Sequence, residues 1–248
     1  MRLEDQIKET VTETVEAAGR PDLFRAPLVG FSDAADERYP ELKSMVGDWV
    51  RDPKELFPAA RSVISIFVPF TREVPRSVLI EEPVSRLWGE AYMVLNNLYA
   101  TIGEEVEAFL TKGGYESMPI AATHTYDPET LQSMWSHRSA AAIAGLGSFG
   151  ANRMLFTEKG SGGRYGSILT SAPLEAGKEP AREYCLYHID GSCLVCMDAC
   201  PVDALAVGHL KKFTCHDRLL ENRELLKDLG GPDVCGKCAA ACPVVFIE

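Results

Sequence analysis

Eight cysteines constrain this chain more than any other feature of its 248 residues. All of them lie in the last third. Six form two copies of one pattern, C-x2-C-x3-C-P-V: Cys193, Cys196 and Cys200 followed by Pro201-Val202, and Cys235, Cys238 and Cys242 followed by Pro243-Val244. Cys185 and Cys215 each precede one run. A 4Fe–4S cubane takes one thiolate per iron, and in two-cluster proteins the cysteine before proline ligates the other cluster. On that rule one cluster takes Cys185, Cys193, Cys196 and Cys242, and the other takes Cys200, Cys215, Cys235 and Cys238. No cysteine is left over.

Two other readings of the cysteines fit less well. Structural zinc sites pair C-x2-C knuckles across a longer spacer, often with histidine, whereas a third cysteine before proline is less typical of zinc. Disulfides need an oxidising compartment, and Met1 to Gln6 leads into a charged amphipathic stretch without the apolar core of a signal peptide. One irregularity stays open. The compact run would place a cysteine where Asp190 stands, so either Cys185 completes the first set or Asp190 supplies an oxygen.

The rest of the composition is that of a globular protein, with no apolar run long enough to cross a bilayer. These features predict a cytoplasmic chain with no membrane partner. Its formal net charge of -11 offers no electrostatic footprint for nucleic acid.

Apolar periodicity predicts a helix from about Leu3 to Ala18 and a second, longer one after Pro83, with Trp88, Tyr92, Leu95, Tyr99, Ile102, Val106 and Phe109 on one face. Strands are expected at Ala26 to Phe31, Ser62 to Pro69, Ser117 to Thr123, Arg153 to Thr157 and Gly166 to Ser171. A turn-rich stretch separates the first two. Asp127-Pro128 reads as the start of a helix carrying Trp135, His137 and Arg138. One more helix is expected after Phe213, between the cysteine runs. The breaker-rich segment Glu175 to Pro180 divides residues 1–175, an α/β domain of α+β sandwich type, from residues 176–248, a ferredoxin-like double-cluster domain.

Gly145-Leu146-Gly147-Ser148-Phe149-Gly150 matches G-x-G-x-x-G, but a dinucleotide fingerprint needs a strand before it and a helix after it. Here a helix precedes and strand residues follow, so NAD is not expected. His124, Tyr126, His137, Arg138, Arg164 and Tyr165 gather nearby in sequence. Any one of them is more simply a packed or surface residue than a catalytic one. His188, His209 and His216 lie among the cysteines without ligand-like spacing.

Trp135 to Asn152, Arg164 to Thr170 and the two cysteine runs together resemble the epoxyqueuosine reductases and their short relatives, and more distantly the reductive dehalogenases. Val29-Gly30-Phe31 and Pro58 to Ile64 add weaker likeness. The resemblance implies two 4Fe–4S clusters delivering single electrons to a corrinoid such as cobalamin, held by an α/β domain. It implies an external electron donor such as a ferredoxin or flavodoxin. Carried onto this chain, Arg138, Gly145, Leu146, Gly147, Gly150, Asn152, Arg164, Gly166 and Ser167 would lie at the cofactor face. His137, Tyr126 and Tyr165 would be candidate proton donors.

Three departures accompany the likeness. The family's catalytic aspartate falls at about Leu131, with Asp127 and Glu129 out of register. The chain stops at Glu248, where full-length enzymes continue into helical repeats that engage tRNA, which predicts a substrate other than tRNA. No twin-arginine leader is present. A second function fits the same cysteines: an electron-transfer protein with no substrate chemistry of its own, docking a redox partner. An enclosed cavity of roughly 300–1,000 Å3 beside the glycine loop would separate an enzyme from a carrier.

Overall fold

The computed structural model describes residues 1–121, 126–178 and 182–248. His124 lies outside them, as do the last residues expected in the Ser117 strand. A four-stranded sheet forms the centre, in the order Leu28–Asp33, Ser62–Pro69, Gly163–Thr170, Ser117–Ile120. Every pairing in it is antiparallel. The class is mixed α/β: Ser62–Pro69 and Ser117–Ile120 run parallel to each other on either side of Gly163–Thr170, so helices Glu73–Ile80 and Arg86–Lys112 carry the chain back along the sheet between them.

Ser62–Pro69 is buried along its whole length, as its unbroken apolar run implies. Its residues alternate between two cores. Ile64, Ile66 and Val68 meet Ile7, Val11 and Val15 of helix Leu3–Ala17 and Leu95, Tyr99, Ile102 and Val106 of helix Arg86–Lys112. The long helix follows its apolar stripe and starts where Ser85 accepts a hydrogen bond from the Trp88 amide, 3.1 Å away. Burying a side chain such as Leu95, fully enclosed, stabilises by roughly 1.5–3 kcal/mol. On the opposite face Val63 and Phe67 pack toward helix His137–Ile143.

Several expected elements differ. The first strand is Leu28–Asp33, two residues later than predicted. The stretch read as turns holds helices Arg38–Val46 and Pro53–Leu56, the latter opened by a capping box between Asp52 and Glu55. Helix Glu73–Ile80 was not anticipated. Asp127 does not start a helix. Its carboxylate accepts from the amides of Glu129 (2.9 Å) and Thr130 (2.8 Å), closing a hairpin between Tyr126–Asp127 and Gln132–Ser133. An aspartate before proline offers the same forward acceptor to a turn as to a helix, and Leu131, at φ 53°, sends the chain back. The helix begins only at His137, capped by Ser136.

The cysteine-rich segment is built of short helices, Leu186–Asp190, Val195–Asp198 and Lys237–Ala240, and a longer one, Lys212–Leu225. It locks onto the sheet layer through an apolar contact of Leu226 and Val234 with Val84 and Tyr92. The chain's last residues lie along the Gly160–Gly163 loop. There the amides of Ser161 and Gly162 donate to the Val245 carbonyl at 3.1 and 2.8 Å, and Arg25 and Arg72 both stack on Phe246. A Cβ on Gly160 would meet that carbonyl oxygen at 2.4 Å, which accounts for glycine there. Among the described residues no helix is long and apolar enough to cross a membrane.

Candidate functional site

All eight cysteines are free thiols, and they gather in two groups of four. Cys185, Cys193, Cys196 and Cys242 line one cavity with Asn152 and Phe156. Burial first, and then the nearby Cys196, Cys185 and Cys193, push the Cys242 thiol up to about 11. Cys238 is pushed up to about 12, first by burial and then by its neighbours Cys235, Cys215 and Cys200. Cys196 acts on it as well, so the groups adjoin at Cys196 and Cys238. Helices Val195–Asp198 and Lys237–Ala240 pack together, and the cysteine before each proline leaves its own helix toward the other group. Among the described residues no His, Cys, Asp or Glu groups converge on a single point as one metal ion requires. The thiols of the first set surround a space.

Asp190 is not part of that space. Its carboxylate accepts from the Ser192 amide at 2.9 Å and closes a turn, while Cys185 is buried in the cavity wall. His188 faces Glu183 at 3.5 Å and His209 is exposed. Backbone amides point at two sulfurs: Ala151 N–H at Cys185 Sγ (3.4 Å) and Ala204 N–H at Cys200 Sγ (3.2 Å).

The glycine loop is closed by the protein's own atoms. A Cβ on Gly145 would sit 1.9 Å from the Lys178 carbonyl oxygen, and one on Gly147 would sit 1.9 Å from that of Phe156. One on Gly150 would strike the Phe156 ring at 2.1 Å. Gly147 itself begins a strand paired with Leu155–Thr157, and Leu146 packs into the core beside Phe67. These glycines permit internal close approach. Among the described residues, their Cβ positions are taken by protein atoms rather than left open for a ligand.

Beyond the loop, Asn152 reaches the cysteines directly. It is buried, receives the Met154 amide at 3.0 Å and donates its own amide to the Cys238 carbonyl at 3.4 Å. Arg138 donates to the Arg153 carbonyl at 2.7 Å, and it is close enough to Cys238 and Tyr165 for their charges to act on it. Burial lowers its pKa despite them.

The remaining candidates divide because a strand alternates its faces. Arg164 and Gly166 turn toward the long helix, where the Arg164 guanidinium lies over the Tyr92 ring at 4.1 Å and Gly166 makes room for Tyr99. Tyr165 and Ser167 turn the other way. The Arg164 charge nevertheless reaches His137 and Arg138 on that other side.

The proposed proton donors are all engaged. Tyr165 donates to the Leu155 carbonyl at 2.8 Å and stacks on Phe67, its pKa raised well above that of a free phenol by burial. His137 bonds Ser167 Oγ at 2.9 Å through Nδ1 and the Ala121 carbonyl at 3.0 Å through Nε2. The carbonyl can only accept, so Nε2 carries the hydrogen. Burial lowers the His137 pKa to about 4. Tyr126 meets His216, next to Cys215, at 3.3 Å.

Sequence reasoning missed Arg153 and Lys212. Arg153 adopts φ 62° and its guanidinium donates to the Gly208 carbonyl at 3.0 Å, while the Lys212 ammonium donates to the Thr130 carbonyl at 2.5 Å. Arg153 ties the cysteine segment to the loop beside Arg138, and Lys212 ties it to the hairpin of residues 126–133. No local pattern marks either residue.

No family model matches the chain. It is 27% identical over 254 residues to an epoxyqueuosine reductase of Bacillus subtilis (strain 168), covering 97% of this chain and 60% of that relative. Among solved structures, an epoxyqueuosine reductase with an epoxyqueuosine-modified tyrosine tRNA stem loop superposes with a TM-score of 0.60 at 22% identity, over 97% of this chain and 65% of that one. A reductive dehalogenase whose structure suggests a mechanism for B12-dependent dehalogenation gives 0.64 at 14% identity, over 87% of this chain and 29% of that one. These likenesses in sequence to epoxyqueuosine reductases, and in fold to both groups, bear out the family resemblance. The chain spans about 60% of the length of the Bacillus subtilis relative.

Proposed function

We propose that this protein is an iron–sulfur reductase. Two 4Fe–4S clusters, one on each set of four cysteines, would pass single electrons to a substrate held where Arg138 and Arg153 meet the second set. The observation that carries this reading is the gathering of eight thiols into two adjoining groups of four. The clusters supply one-electron transfer when bound, at potentials tuned by burial and by hydrogen bonds to sulfur. The chain's own residues do the rest. The amides of Ala151 and Ala204 lower the electron density on Cys185 and Cys200. Asn152 holds the Cys238 segment against the sheet layer. Arg138, a half-buried cation beside Cys238, favours the extra negative charge of a reduced cluster and draws an anionic substrate toward it.

A corrinoid enters no step, because the loop expected to face it is filled by Phe156 and Lys178. That closure favours the second reading, an electron carrier that hands electrons to a partner protein.

The deciding experiment is anaerobic reconstitution with iron and sulfide, followed by metal analysis and titration with cobalamin, a modified tRNA stem loop and small epoxides. Absorbance at about 400 nm and about eight irons per chain are expected, with reoxidation by a substrate and no spectral shift on adding cobalamin. Zinc without colour would remove the iron–sulfur reading. Loaded clusters that no substrate reoxidises would leave the carrier.

A further inference from the structure

The first thiol set lies under two short helices that end in exposed carboxylates, Leu186–Asp190 and Val195–Asp198. Leu186 and Val195 line the cavity with the cysteines, and both also reach solvent, at 36% and 38% exposure. Ile189 beside them is 55% exposed. From Glu183 to Asp203 the sequence has four carboxylates and no lysine or arginine. Glu183 turns inward to the amides of Tyr184 and Cys185 and faces His188, which leaves Asp190, Asp198 and Asp203 exposed. The helix carrying Cys215 is different, since Lys212, Arg218 and Arg223 balance Asp217, Glu221 and Glu224 along it.

We propose that this apolar face, flanked by Asp190 and Asp198 over the first thiol set, is where electrons enter. It would dock a one-electron donor protein whose own face carries lysine and arginine around an exposed cofactor edge. The inference rests on the iron–sulfur reading. Charge complementarity selects the occupant, because opposite charges around the contact speed the encounter and like charges suppress it. The apolar centre dehydrates on contact and brings the donor's cofactor toward Cys185 and Cys193. Entry moves one electron, oxidising the donor and reducing the cluster, with no bond or proton transferred. The second set then lies on the exit side, beside Arg138, with Asn152 between the two sets.

Ferric cytochrome c, whose haem edge is ringed by lysines, probes this face in the reverse direction. Reduced, cluster-loaded protein is mixed with it in a stopped flow, and each event oxidises one cluster by one electron and reduces one haem. Ferricyanide, a small anion, runs in parallel. Asp190→Lys/Asp198→Lys should slow cytochrome c about tenfold at low ionic strength, less at high salt, and should not slow ferricyanide. Glu9→Lys/Glu13→Lys, which makes the same charge change on helix Leu3–Ala17, should leave cytochrome c several-fold faster than the aspartate variant. Ile189→Ser should slow it at every salt concentration. Equal slowing by both lysine pairs, or none by the first, would refute the docking face while the iron–sulfur reading stands. Absence of the cluster absorbance would remove both.

Discussion

The two C-x2-C-x3-C-P-V runs share one ligand pattern, yet the thiol sets they build have different surroundings. Cys185, Cys193, Cys196 and Cys242 sit beneath short helices with exposed apolar and acidic residues. Cys200, Cys215, Cys235 and Cys238 sit against the sheet layer, where Asn152, Arg138 and the Tyr126–His216 contact meet them. A Cβ on Gly236 would lie 2.8 Å from the Trp88 ring, so this second run presses on the long helix itself. Repeating a ligand pattern repeats the metal chemistry. Direction comes from the neighbours, and they differ.

The largest effect expected on this comparison comes from exchanging cysteines between runs. Cys200→Ser and Cys235→Ser should abolish the same cluster although they lie in different runs, and Cys242→Ser and Cys193→Ser should abolish the other. Each should lower iron from about eight to about four per chain. Spectroscopy of the reduced proteins would distinguish the survivors. If Cys200→Ser and Cys193→Ser remove the same signal, each run serves its own cluster and the crossed grouping fails.

Next in size is Gly147→Ala. The loop it belongs to touches both sets, through Ala151 at Cys185 and Asn152 at Cys238. The added methyl would meet backbone at 1.9 Å, which side chains cannot relieve, so a loss of about 3 kcal/mol or more is expected. Gly191→Ala, in open space at φ 77°, should cost only about 1 kcal/mol of backbone strain. Urea denaturation of the metal-free chains measures both. A mild Gly147→Ala would show that the loop opens, and a ligand could then lie there.

Much of this architecture could be read before the fold was known, for identifiable reasons. Strand Ser62–Pro69 and helix Arg86–Lys112 each carry a single unbroken pattern over their full length, and long periodic segments leave few alternatives. The frame of the glycine motif was legible from its flanking elements. The hairpin at Asp127 was not, because an aspartate followed by proline satisfies a turn as well as a helix. Nor was the division of Arg164 from Ser167: alternation separates them by face, yet only packing reveals that one face meets Tyr92 and the other His137. Arg153 and Lys212 act through carbonyls distant in sequence, 55 and 82 residues away.

Asn152→Ala sharpens the comparison at the point where the sets meet. It removes a bond to the Cys238 carbonyl and one from the Met154 amide, so a loss of about 1–3 kcal/mol is expected. With clusters loaded, potentiometric titration should show both midpoints displaced, because the side chain also lines the first cavity. Displacement of only one would assign Asn152 to that set alone.

The smallest effect concerns His137, which lies on the sheet side of the second set. Its pKa is lowered to about 4 by burial, whereas in the unfolded chain it is about 6.5. Between those values the unfolded chain binds the proton and the folded chain does not, so folding loses stability as pH falls from about 6.5 to about 4. Above about 6.5 the contribution is fully present. Part of the ring contacts solvent, which reduces it to on the order of 1–2 kcal/mol. His137→Gln removes the titrating group, and its amide can still bond either Ser167 or the Ala121 carbonyl. The variant should therefore be less stable than the parent near pH 7 and lose less on acidification to pH 4.5. Parallel pH curves for the two proteins would mean that the imidazole takes up its proton as readily in the fold as in the unfolded chain. His137 would then return as a candidate acid beside Arg138, on the sheet side of the second set.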